Sequence, residues 1–373
     1  MARLKLGIDA RNLTRAGAGI SRYLLMLLAA FHDEDVDLRL YLPSPPAEGI
    51  DLTGTNLRIG SARGALARTV WGQVVLPRWA AEDRVDALWG PAHRLPLRLD
   101  SSIARAVTIH DLVWLRMPET MQPGRLVGER ILMGQAIAGA DAVIAVSEFT
   151  AGEVRAHYGA AARCVTAFPV GAPTLPRSDV HVVQRFGLAG PFILFVGTLE
   201  PRKNLSRLLA AYASLGPAVR TRASLVIAGG QGWKTRDLDA EIARLDIRDR
   251  VRLLGHVDDA ELAALYAAAT FLAFPSLYEG YGLPIVEANS AGTPVLTSNR
   301  AAMVEVGGDA AAYVDPQSVS SIADGMTRLL TEESYRTALA GRVRANADRY
   351  DTAATARAML TLFTDLARGR HSR

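Results

Sequence analysis

Short apolar segments alternate with longer segments of helical period along the 373 residues of this chain. Such near-continuous hydrophobic runs are typical of strands in parallel sheets that helices cover on both faces. The predicted strands are Leu4–Ile8, Leu38–Leu42, Ala87–Trp89, Ala106–Ile109 and Ala142–Val146, followed by Phe192–Val196, Ser224–Ala228, Val251–Leu254, Phe271–Phe274 and Pro294–Thr297. Two such sets with a break between them predict an α/β protein of two doubly wound domains.

The break between the two sets lies near Pro173–Arg177, where proline, glycine and polar residues are concentrated. We therefore expect an N-terminal domain over residues 1–173 and a C-terminal domain over residues 178–351. The segment that follows, Thr352–Ala367, has helical period and few β-branched residues. We expect a terminal helix there, within residues 352–373.

The composition indicates a globular protein and gives no sign of nucleic-acid binding. Hydrophobic residues make up 49% and charged residues 21% of the chain, as in a globular protein with an ample core. The 42 lysines and arginines exceed the 38 acidic residues by four, which is too small an excess to indicate nucleic-acid binding. A mild positive charge does suit a phosphorylated ligand or an anionic membrane surface.

The single cysteine, Cys164, excludes an intrachain disulfide and favours a reducing cytoplasm. Its apolar neighbours predict a buried, inert thiol.

The N-terminal MARLKLGIDA reaches an aspartate after a very short apolar run, so we interpret it as a first strand and not as a signal peptide. The most apolar stretch, Leu262–Phe274, is shorter than the roughly 20 residues needed to span a bilayer. Integral membrane insertion is therefore not expected.

Candidate binding residues lie just after predicted strands, where open parallel sheets bind ligands. In the first half these are Gly17 and Gly19, ahead of a predicted helix, and His110, at a strand end. The glycines allow a phosphate to approach the helix N-terminus, but a plain βα turn with Ser21 as N-cap explains them equally well. His110 can contact a sugar hydroxyl or a phosphate; alternatively, it is a hydrogen-bonded histidine at the edge of the core, or Asp111 caps the next element.

In the second half, Gly197 opens a turn that runs through Arg202 and Lys203 to a helix beginning near Asn204. A planar guanidinium beside a point charge is suited to a diphosphate. Cations are disfavoured at a helix N-terminus unless an anion is bound there as well. The position of Arg202 and Lys203 therefore favours a diphosphate site over a solvated basic turn, which would leave their placement unexplained.

A second glycine loop follows the predicted strand Phe271–Phe274. The loop and the helix after it contain Glu279, Gly280, Tyr281, Gly282, Leu283 and Glu287. The N–H groups of Gly282 and Leu283 can face a phosphate, and both carboxylates can accept hydrogen bonds from sugar hydroxyls. In the alternative interpretation, Glu279 is solvated and Glu287 caps the helix or compensates its dipole. Two glutamates that flank a glycine loop, in a chain that also carries the cation pair, favour binding.

Together these residues resemble the retaining glycosyltransferases of family 4, which have the two-domain GT-B fold. The most specific match is Glu279 and Glu287, with seven residues between them, preceded by the motif GTLEPRKN at Gly197–Asn204. Weaker likenesses are WGPAHRLPL (Trp89–Leu97), TIHDL (Thr108–Leu112) and ADAVIAVSEFT (Ala140–Thr150). One departure is Pro169-Val170-Gly171, where the family often carries an Asn-Gly pair after a proline.

The resemblance implies an active site in the cleft between two Rossmann-like domains, with the donor sugar nucleotide bound by the C-terminal one. Arg202 and Lys203 would hold the diphosphate, Glu279 would contact the transferred sugar, and Glu287 would bind the ribose. The base would lie against the backbone of Gly255, His256 and Val257.

In the N-terminal domain, the resemblance implies that His110 contacts the donor sugar. Gly17 and Gly19 would lie near the phosphates and the acceptor. The terminal helix, residues 352–373, would pack back onto this domain.

Breaking the sugar–phosphate bond produces an oxocarbenium-like sugar and a departing diphosphate, which preorganised cations and N–H dipoles stabilise. Arg202, Lys203 and the Gly280–Leu283 loop can supply these without a metal or another cofactor. Asp237 and Asp239 have the spacing of a metal-binding pair but lie in a segment of helical period. The resemblance, and not the residues, implies retention of configuration by front-face substitution; whether Glu279 acts as a nucleophile or orients the sugar stays open.

The expected reaction is transfer of a hexose to a growing bacterial surface glycan, on a lipid carrier such as a polyprenyl diphosphate. Overall likeness to polysaccharide mannosyltransferases favours mannose from GDP-mannose.

Peripheral contact with an anionic membrane is suggested by Arg63–Arg84, where four arginines alternate with apolar residues. These apolar residues are Leu66, Val70, Trp71, Val74 and Trp79. A helix packed on the first sheet explains the same pattern.

Several rival functions share the predicted fold. A UDP-sugar donor, a sugar phosphorylase and an epimerase would all use the same phosphate site. A non-catalytic sugar-nucleotide-binding protein is the alternative from another class. A nicotinamide-dependent dehydrogenase is disfavoured, because no G-x-G-x-x-G follows the first strand.

Overall fold

The computed structural model describes residues 3–14, 19–173, 180–230, 232 and 238–371. The chain divides into two compact units. The first contains Met1–Leu115, Met121–Val170 and Asp351–Arg373, and the second contains Arg116–Thr120 and Gly171–Tyr350. The grouping of the short segment Arg116–Thr120 with the second unit was not predicted from the sequence.

The described part of the first unit contains a parallel sheet of seven strands in the order β3-β2-β1-β4-β5-β6-β7. The strands are β1 (Leu4–Asp9), β2 (Val36–Leu42), β3 (Asn56–Ile59), β4 (Ala87–Gly90), β5 (Ala104–Ile109), β6 (Ala142–Ala145) and β7 (Val165–Ala167). The strand order reverses between β1 and β4. In open α/β sheets, the carboxyl ends of strands at such a reversal form the ligand-binding crevice.

The second unit contains, in its described residues, a parallel sheet of six strands in the order β10-β9-β8-β11-β12-β13. These strands are β8 (Phe192–Val196), β9 (Ser224–Ala228), β10 (Val251–Gly255), β11 (Phe271–Phe274), β12 (Val295–Ser298) and β13 (Ala311–Val314). Here the order reverses between β8 and β11, the two strands that precede the predicted diphosphate and glutamate motifs. The predicted fold class, α/β with two doubly wound sheets, is confirmed.

Helices cover both sheets. They are α1 (Gly19–His32), α2 (Ala65–Glu82), α3 (Val113–Arg116), α4 (Pro123–Gly139), α5 (Glu148–Tyr158), α6 (Val180–Arg185), α7 (Leu205–Ser214), α8 (Pro217–Arg220), α9 (Leu238–Arg244), α10 (Asp259–Ala268), α11 (Leu283–Ser290), α12 (Ala302–Gly307), α13 (Val319–Thr331), α14 (Glu333–Ala347) and α15 (Thr352–His371). Short 3-10 helices cover Arg11–Thr14, Pro118–Thr120, Gly159–Ala161, Pro201–Lys203, Arg248–Arg250 and Gly308–Ala310. The last helix, α15, packs against α1, β4 and β5 of the first unit, where the ring of Phe363 lies 5.9 Å from that of Trp89.

Two local predictions in the first unit are wrong. Ser21 is not an N-cap: it lies inside α1, and its hydroxyl donates a hydrogen bond to the carbonyl oxygen of Asn12 at 2.8 Å. Cys164 is exposed and not buried, with a left-handed backbone (φ 43°) immediately before β7. β7 is an edge strand and its residues are only partly buried, so apolar neighbours do not enclose the thiol.

The apolar residues of the predicted membrane-facing stretch lie on helix α2, where some face the core and others face solvent. Trp71 is buried and Trp79 packs against the same core cluster beneath the helix. Leu66, Val70 and Val74 are instead 79%, 51% and 61% exposed, and their spacing of four residues places them on one face. The two tryptophans are therefore part of the core, and only the leucine and valines remain for a surface role. In the part of the chain that the structure describes, no helix is both long and apolar enough to span a membrane.

Candidate functional site

Two loops meet at the strand reversal of the second sheet. The first runs from Gly197, after β8, through the 3-10 helix Pro201–Lys203 to α7. The second runs from Pro275, after β11, to α11. The amide of Leu277 donates to the carbonyl oxygen of Arg202 at 2.8 Å, which joins the loops directly. Because β8 and β11 are neighbours in the sheet, residues about 75 positions apart in sequence come together.

The junction contains a buried cluster of two cations and two carboxylates. The Glu279 carboxylate binds Arg202 through one oxygen and accepts from Lys203 Nζ at 2.6 Å through the other. Arg202 Nε lies 2.5 Å from the carboxylate of Glu200. Only 7% of Glu279 and 8% of Lys203 are exposed. The alternatives of a solvated basic turn and a solvated Glu279 are therefore excluded.

The pKa values of Glu279 and Lys203 depend on the contacts within this cluster. Burial would raise the pKa of Glu279, but the charges of Arg202 and Lys203 together lower it to about 2. Burial lowers the pKa of Lys203 from its usual value, although the neighbouring Glu279 opposes this. Lys203 Nζ also lies 5.0 Å from the centre of the Phe274 ring, within the range of a cation–π contact. The cluster is thus a preorganised pair of cations whose charge is balanced by carboxylates.

Asn204 holds the cation-bearing turn against the second loop. It adopts a left-handed conformation with φ 64°, which asparagine tolerates better than most residues. Its side-chain amide donates to the carbonyl oxygens of Pro275 at 2.9 Å and Pro316 at 2.7 Å. The predicted helix start is confirmed: α7 begins at Leu205. The tethering role of Asn204 was not predicted, and its position at the end of the GTLEPRKN motif was the available signal.

Glu287 is not a helix cap. It is the fifth residue of α11, is only 2% exposed, and accepts a hydrogen bond from the Tyr266 hydroxyl at 2.8 Å. Since the side chain is buried and lies beyond the first helical turn, dipole compensation does not explain it either. Tyr266, on α10, was missed by the sequence analysis because nothing in its local pattern distinguishes it from a core aromatic residue.

Glycines with unusual backbone angles shape both loops. Gly282 is the N-cap of α11 with φ 111°, and Gly197 has φ 146°; these angles disfavour any other residue. Gly280 and Tyr281 lie buried in the same loop.

The glycine that follows β9 extends the site along the carboxyl edge of the sheet. A Cβ on Gly229 would clash with the carbonyl oxygen of Gly197, while the Gly229 amide donates to the carbonyl oxygen of Gly255 at 2.7 Å. Gly255 therefore lies at the same edge, two strands away from β8. Gly255 and His256 are exposed and Val257 is half-buried, so this backbone is accessible to a ligand.

In the first unit, His110 follows β5 and its ring is fixed on several sides. His110 Nε2 lies 2.7 Å from the carbonyl oxygen of Pro91, and its amide donates to His93 Nε2 at 2.9 Å. The Tyr23 ring packs edge-on at 4.9 Å. Burial, with the His93 ring, lowers the pKa of His110 to about 4, so the imidazole is neutral at pH 7.

The predicted glycine loop before α1 is only partly described. Gly17 lies outside the described residues. Gly19 is the first residue of α1, and no described atom lies within 4 Å of the place where its Cβ would stand. Packing therefore gives no reason for glycine at position 19, and a ligand-binding role there stays a prediction.

Among the residues that the structure describes, no group of three His, Cys, Asp or Glu side chains is placed to bind a metal ion. Asp239 lies in α9, where it pairs with Arg248 at 2.6 Å. Asp237 is outside the described residues.

Both halves of the sequence match known families. Residues 17–174 match "Glycosyltransferase Family 4", and residues 178–346 match "Glycosyl transferases group 1". The chain is 34% identical to the O-antigen chain mannosyltransferase B of Escherichia coli over 279 residues, which are 73% of this chain and 72% of that protein.

Solved structures extend the comparison to nearly the whole chain. A sucrose-phosphate synthase of Thermosynechococcus elongatus is 18% identical, with a TM-score of 0.78 over 98% of this chain and 100% of that one. Anabaena Alr3699/HepE, in complex with UDP and glucose, is 19% identical, with a TM-score of 0.74 over 97% and 100%. At this identity the two structures establish the fold alone. The sequence matches show that the chain belongs to glycosyltransferase family 4, and the solved structures show that it has the GT-B fold.

Proposed function

We propose that this glycosyltransferase transfers a hexose, with retention of configuration, from a sugar nucleotide to a lipid-linked or oligosaccharide acceptor in surface polysaccharide synthesis. The observation that carries the proposal is the buried cluster of Arg202, Lys203 and Glu279 at the strand reversal of the second sheet. Burying a lysine costs free energy, which a turn that only faces solvent would not require. Binding of a donor diphosphate explains why the lysine is buried there.

The proposed roles are those that the resemblance to family 4 implies, and the position of each group supports them. Arg202 and Lys203 would bind the diphosphate, and Glu279, attached to both, would contact the transferred sugar beside it. Glu287, held by Tyr266 in the helix that continues the same loop, would accept hydrogen bonds from the ribose.

The base would lie along the outer strand ends, where the Gly255, His256 and Val257 backbone is accessible. His110 is proposed to contact the transferred sugar from the first unit. Because its ring is neutral, it would act there through hydrogen bonding and not through charge.

The cations would supply most of the assistance to bond cleavage. As the sugar–phosphate bond breaks, negative charge develops on the departing diphosphate, and Arg202 and Lys203 are already in place to stabilise it. In a buried site such an interaction is stronger than in water. We propose that no metal ion is needed for this step.

Mannose from GDP-mannose is the favoured donor, and the relationship to the O-antigen mannosyltransferase supports it. A UDP-sugar is the alternative, since Anabaena HepE, which shares the fold, was crystallised with UDP and glucose.

A thermal-shift screen distinguishes the two donors. A ligand that binds only the native state raises the apparent melting temperature, by an amount that increases with its concentration relative to Kd. We expect GDP and GDP-mannose to raise it, and UDP and UDP-glucose to leave it unchanged at the same concentration. Stabilisation by the uridine compounds alone would reverse the assignment. Stabilisation without transfer to any glycan acceptor would instead support a non-catalytic binding protein.

Peripheral contact with an anionic membrane is part of the proposal and is supported by α2. Its exposed stripe of Leu66, Val70 and Val74 lies between the exposed residues Arg63 and Arg78. Leu97 is also 56% exposed, and its amide donates to the Gln73 side chain on α2 at 2.8 Å. An apolar stripe flanked by cations is the arrangement that binds the interface of an anionic bilayer.

Liposome flotation tests this surface. We expect the wild-type protein to float with vesicles containing anionic phosphatidylglycerol. Changing Leu66, Val70 and Val74 together to serine should reduce the bound fraction by about tenfold or more, since three apolar side chains no longer enter the interface. Val304→Ser, a change at a comparably exposed valine of the second unit, is the control. Equal flotation of the triple variant and the wild type would remove the membrane from the proposal.

A further inference from the structure

A hydrogen-bond chain runs behind His110 and ends on a helix outside the predicted site. The His110 amide donates to His93 Nε2 at 2.9 Å, and His93 Nδ1 lies 3.4 Å from Glu129 Oε2 on α4. We propose that His93 and Glu129 are positioning residues, which fix the backbone and ring of His110 for its contact with the transferred sugar. This inference rests on the role proposed above for His110.

The direction of each hydrogen bond fixes which ring nitrogens carry a proton. An amide can only donate, so His93 Nε2 must be the acceptor. A neutral His93 then carries its proton on Nδ1, the atom that faces Glu129. At His110, the carbonyl oxygen of Pro91 can only accept, so Nε2 must donate to it. Neutral His110 is left with Nδ1 as a hydrogen-bond acceptor, which a sugar hydroxyl can use.

His93 adopts a left-handed backbone conformation. Its φ is 60°, in the left-handed region that costs energy for residues other than glycine. The conformation is held because the His93 amide donates to the carbonyl oxygen of Thr108, at 3.0 Å, on the strand that leads to His110. His93 is thus bound to both sides of the peptide segment that presents His110. Strain that the surroundings enforce is often found at functional sites.

Glu129 is suited to hold His93 because it stays ionised although mostly buried. Burial would raise the pKa of Glu129, but the hydrogen bond with His93 and the charges of Arg94 and Arg125 lower it to about 2. Arg94, the residue after His93, approaches the other carboxylate oxygen at 3.6 Å. The carboxylate therefore binds two consecutive residues of the segment after β4, and α4 fixes their position.

Paired substitutions separate positioning from simple packing. Leucine at position 93 or 129 removes the hydrogen bond, whereas glutamine retains an acceptor at position 129 and offers one at position 93. Leucine and glutamine are equally unsuited to the left-handed backbone at position 93, so their difference isolates the hydrogen bond. Tyr158→Phe is the control, because its buried hydroxyl has no hydrogen-bond partner among the described residues.

Donor kinetics give the first measurement, with the donor identified by thermal shift. We expect His93→Leu and Glu129→Leu to lower kcat by ten- to a hundredfold, roughly the cost of a misplaced catalytic group, and to change KM for the donor by less than about threefold. Glu129→Gln and His93→Gln should recover most of the loss, and Tyr158→Phe should match the wild type. Leucine variants that are folded and fully active, or glutamine variants that are equally impaired, would overturn the inference.

Histidine NMR gives a measurement that does not depend on activity. In protein labelled with ¹⁵N-histidine, we expect His93 as the neutral Nδ1–H form and His110 as the neutral Nε2–H form at pH 7. An Nε2–H form of His93 would overturn the inference. His110→Ala shows which proposal fails: if it is impaired while the leucine variants are normal, only the positioning role is wrong. If His110→Ala is itself fully active, the sugar contact proposed for His110 is wrong. The positioning of His110 by His93 and Glu129 would then have no effect on transfer.

Discussion

Replacing Lys203 with alanine is expected to lower kcat/KM for glycosyl transfer by about a thousandfold, at the upper end of the cost of removing one electrostatic contact to a transition state. Lys203 is buried and 2.6 Å from Glu279, in the loop proposed to bind the departing diphosphate. Without it, Arg202 would be the remaining cation of the cluster that stabilises the negative charge developing in a low-dielectric site. Glu279 keeps its contact with Arg202, so we expect the variant to fold, with its unfolding free energy lowered by ~1–3 kcal/mol.

Initial rates over a range of donor concentrations, with thermal unfolding, measure both effects. Arg248→Ala is the matched control, since Arg248 is an exposed cation of the same unit that pairs with Asp239; it should change neither rate nor stability. If Lys203→Ala retained transfer within about tenfold of the wild type, the assignment of the diphosphate site to this cluster would be wrong.

The sequence predicted most strands of both sheets because their residues form short, mostly apolar runs. β8, β9 and β11 begin and end at the predicted residues. The strands β3, β7 and β13 were missed; all three lie at sheet edges and are three or four residues long. β3 and β7 leave their side chains partly or largely exposed, so they do not require an apolar run that hydrophobic periodicity could detect. β13 is mostly buried, and its four residues are too few to distinguish a strand from a buried turn of helix.

The residues of the candidate site, like the strands, could be predicted only in part from the sequence. Arg202, Lys203 and Glu279 were selected because each follows a strand, and parallel topology brings strand ends together. Which of them pair could not be predicted, because a contact between Lys203 and Glu279 depends on β8 and β11 being adjacent in the sheet. Residues that contact another residue of the site, as Glu200 contacts the Arg202 guanidinium and His93 the His110 amide, have no signal in sequence spacing alone.

The Glu279 carboxylate is paired with the two cations that a donor diphosphate would bind. One of its oxygens binds Arg202 and the other binds Lys203, while Glu200 holds a different nitrogen of the arginine. Two carboxylates therefore balance two cations. With its pKa at about 2 against an ordinary 4.5, Glu279 stabilises the fold above about pH 4.5, and this contribution is lost as the pH falls towards 2. A bound diphosphate must displace its carboxylate from at least one cation, whereas Glu200 can keep the guanidinium in place.

Glu279→Gln is therefore expected to separate binding from turnover. Glutamine keeps the size of the side chain but removes the charge that competes with the diphosphate, so the affinity for free nucleoside diphosphate should rise about tenfold, equivalent to ~1.4 kcal/mol. Transfer should fall by about a hundredfold or more, because the carboxylate proposed to orient the sugar is lost. Isothermal titration calorimetry and initial rates measure the two quantities, with Glu332→Gln, at an exposed glutamate of the same unit, as the control. A parallel loss of affinity and rate would show instead that Glu279 holds the cations in place for the donor and does not compete with it.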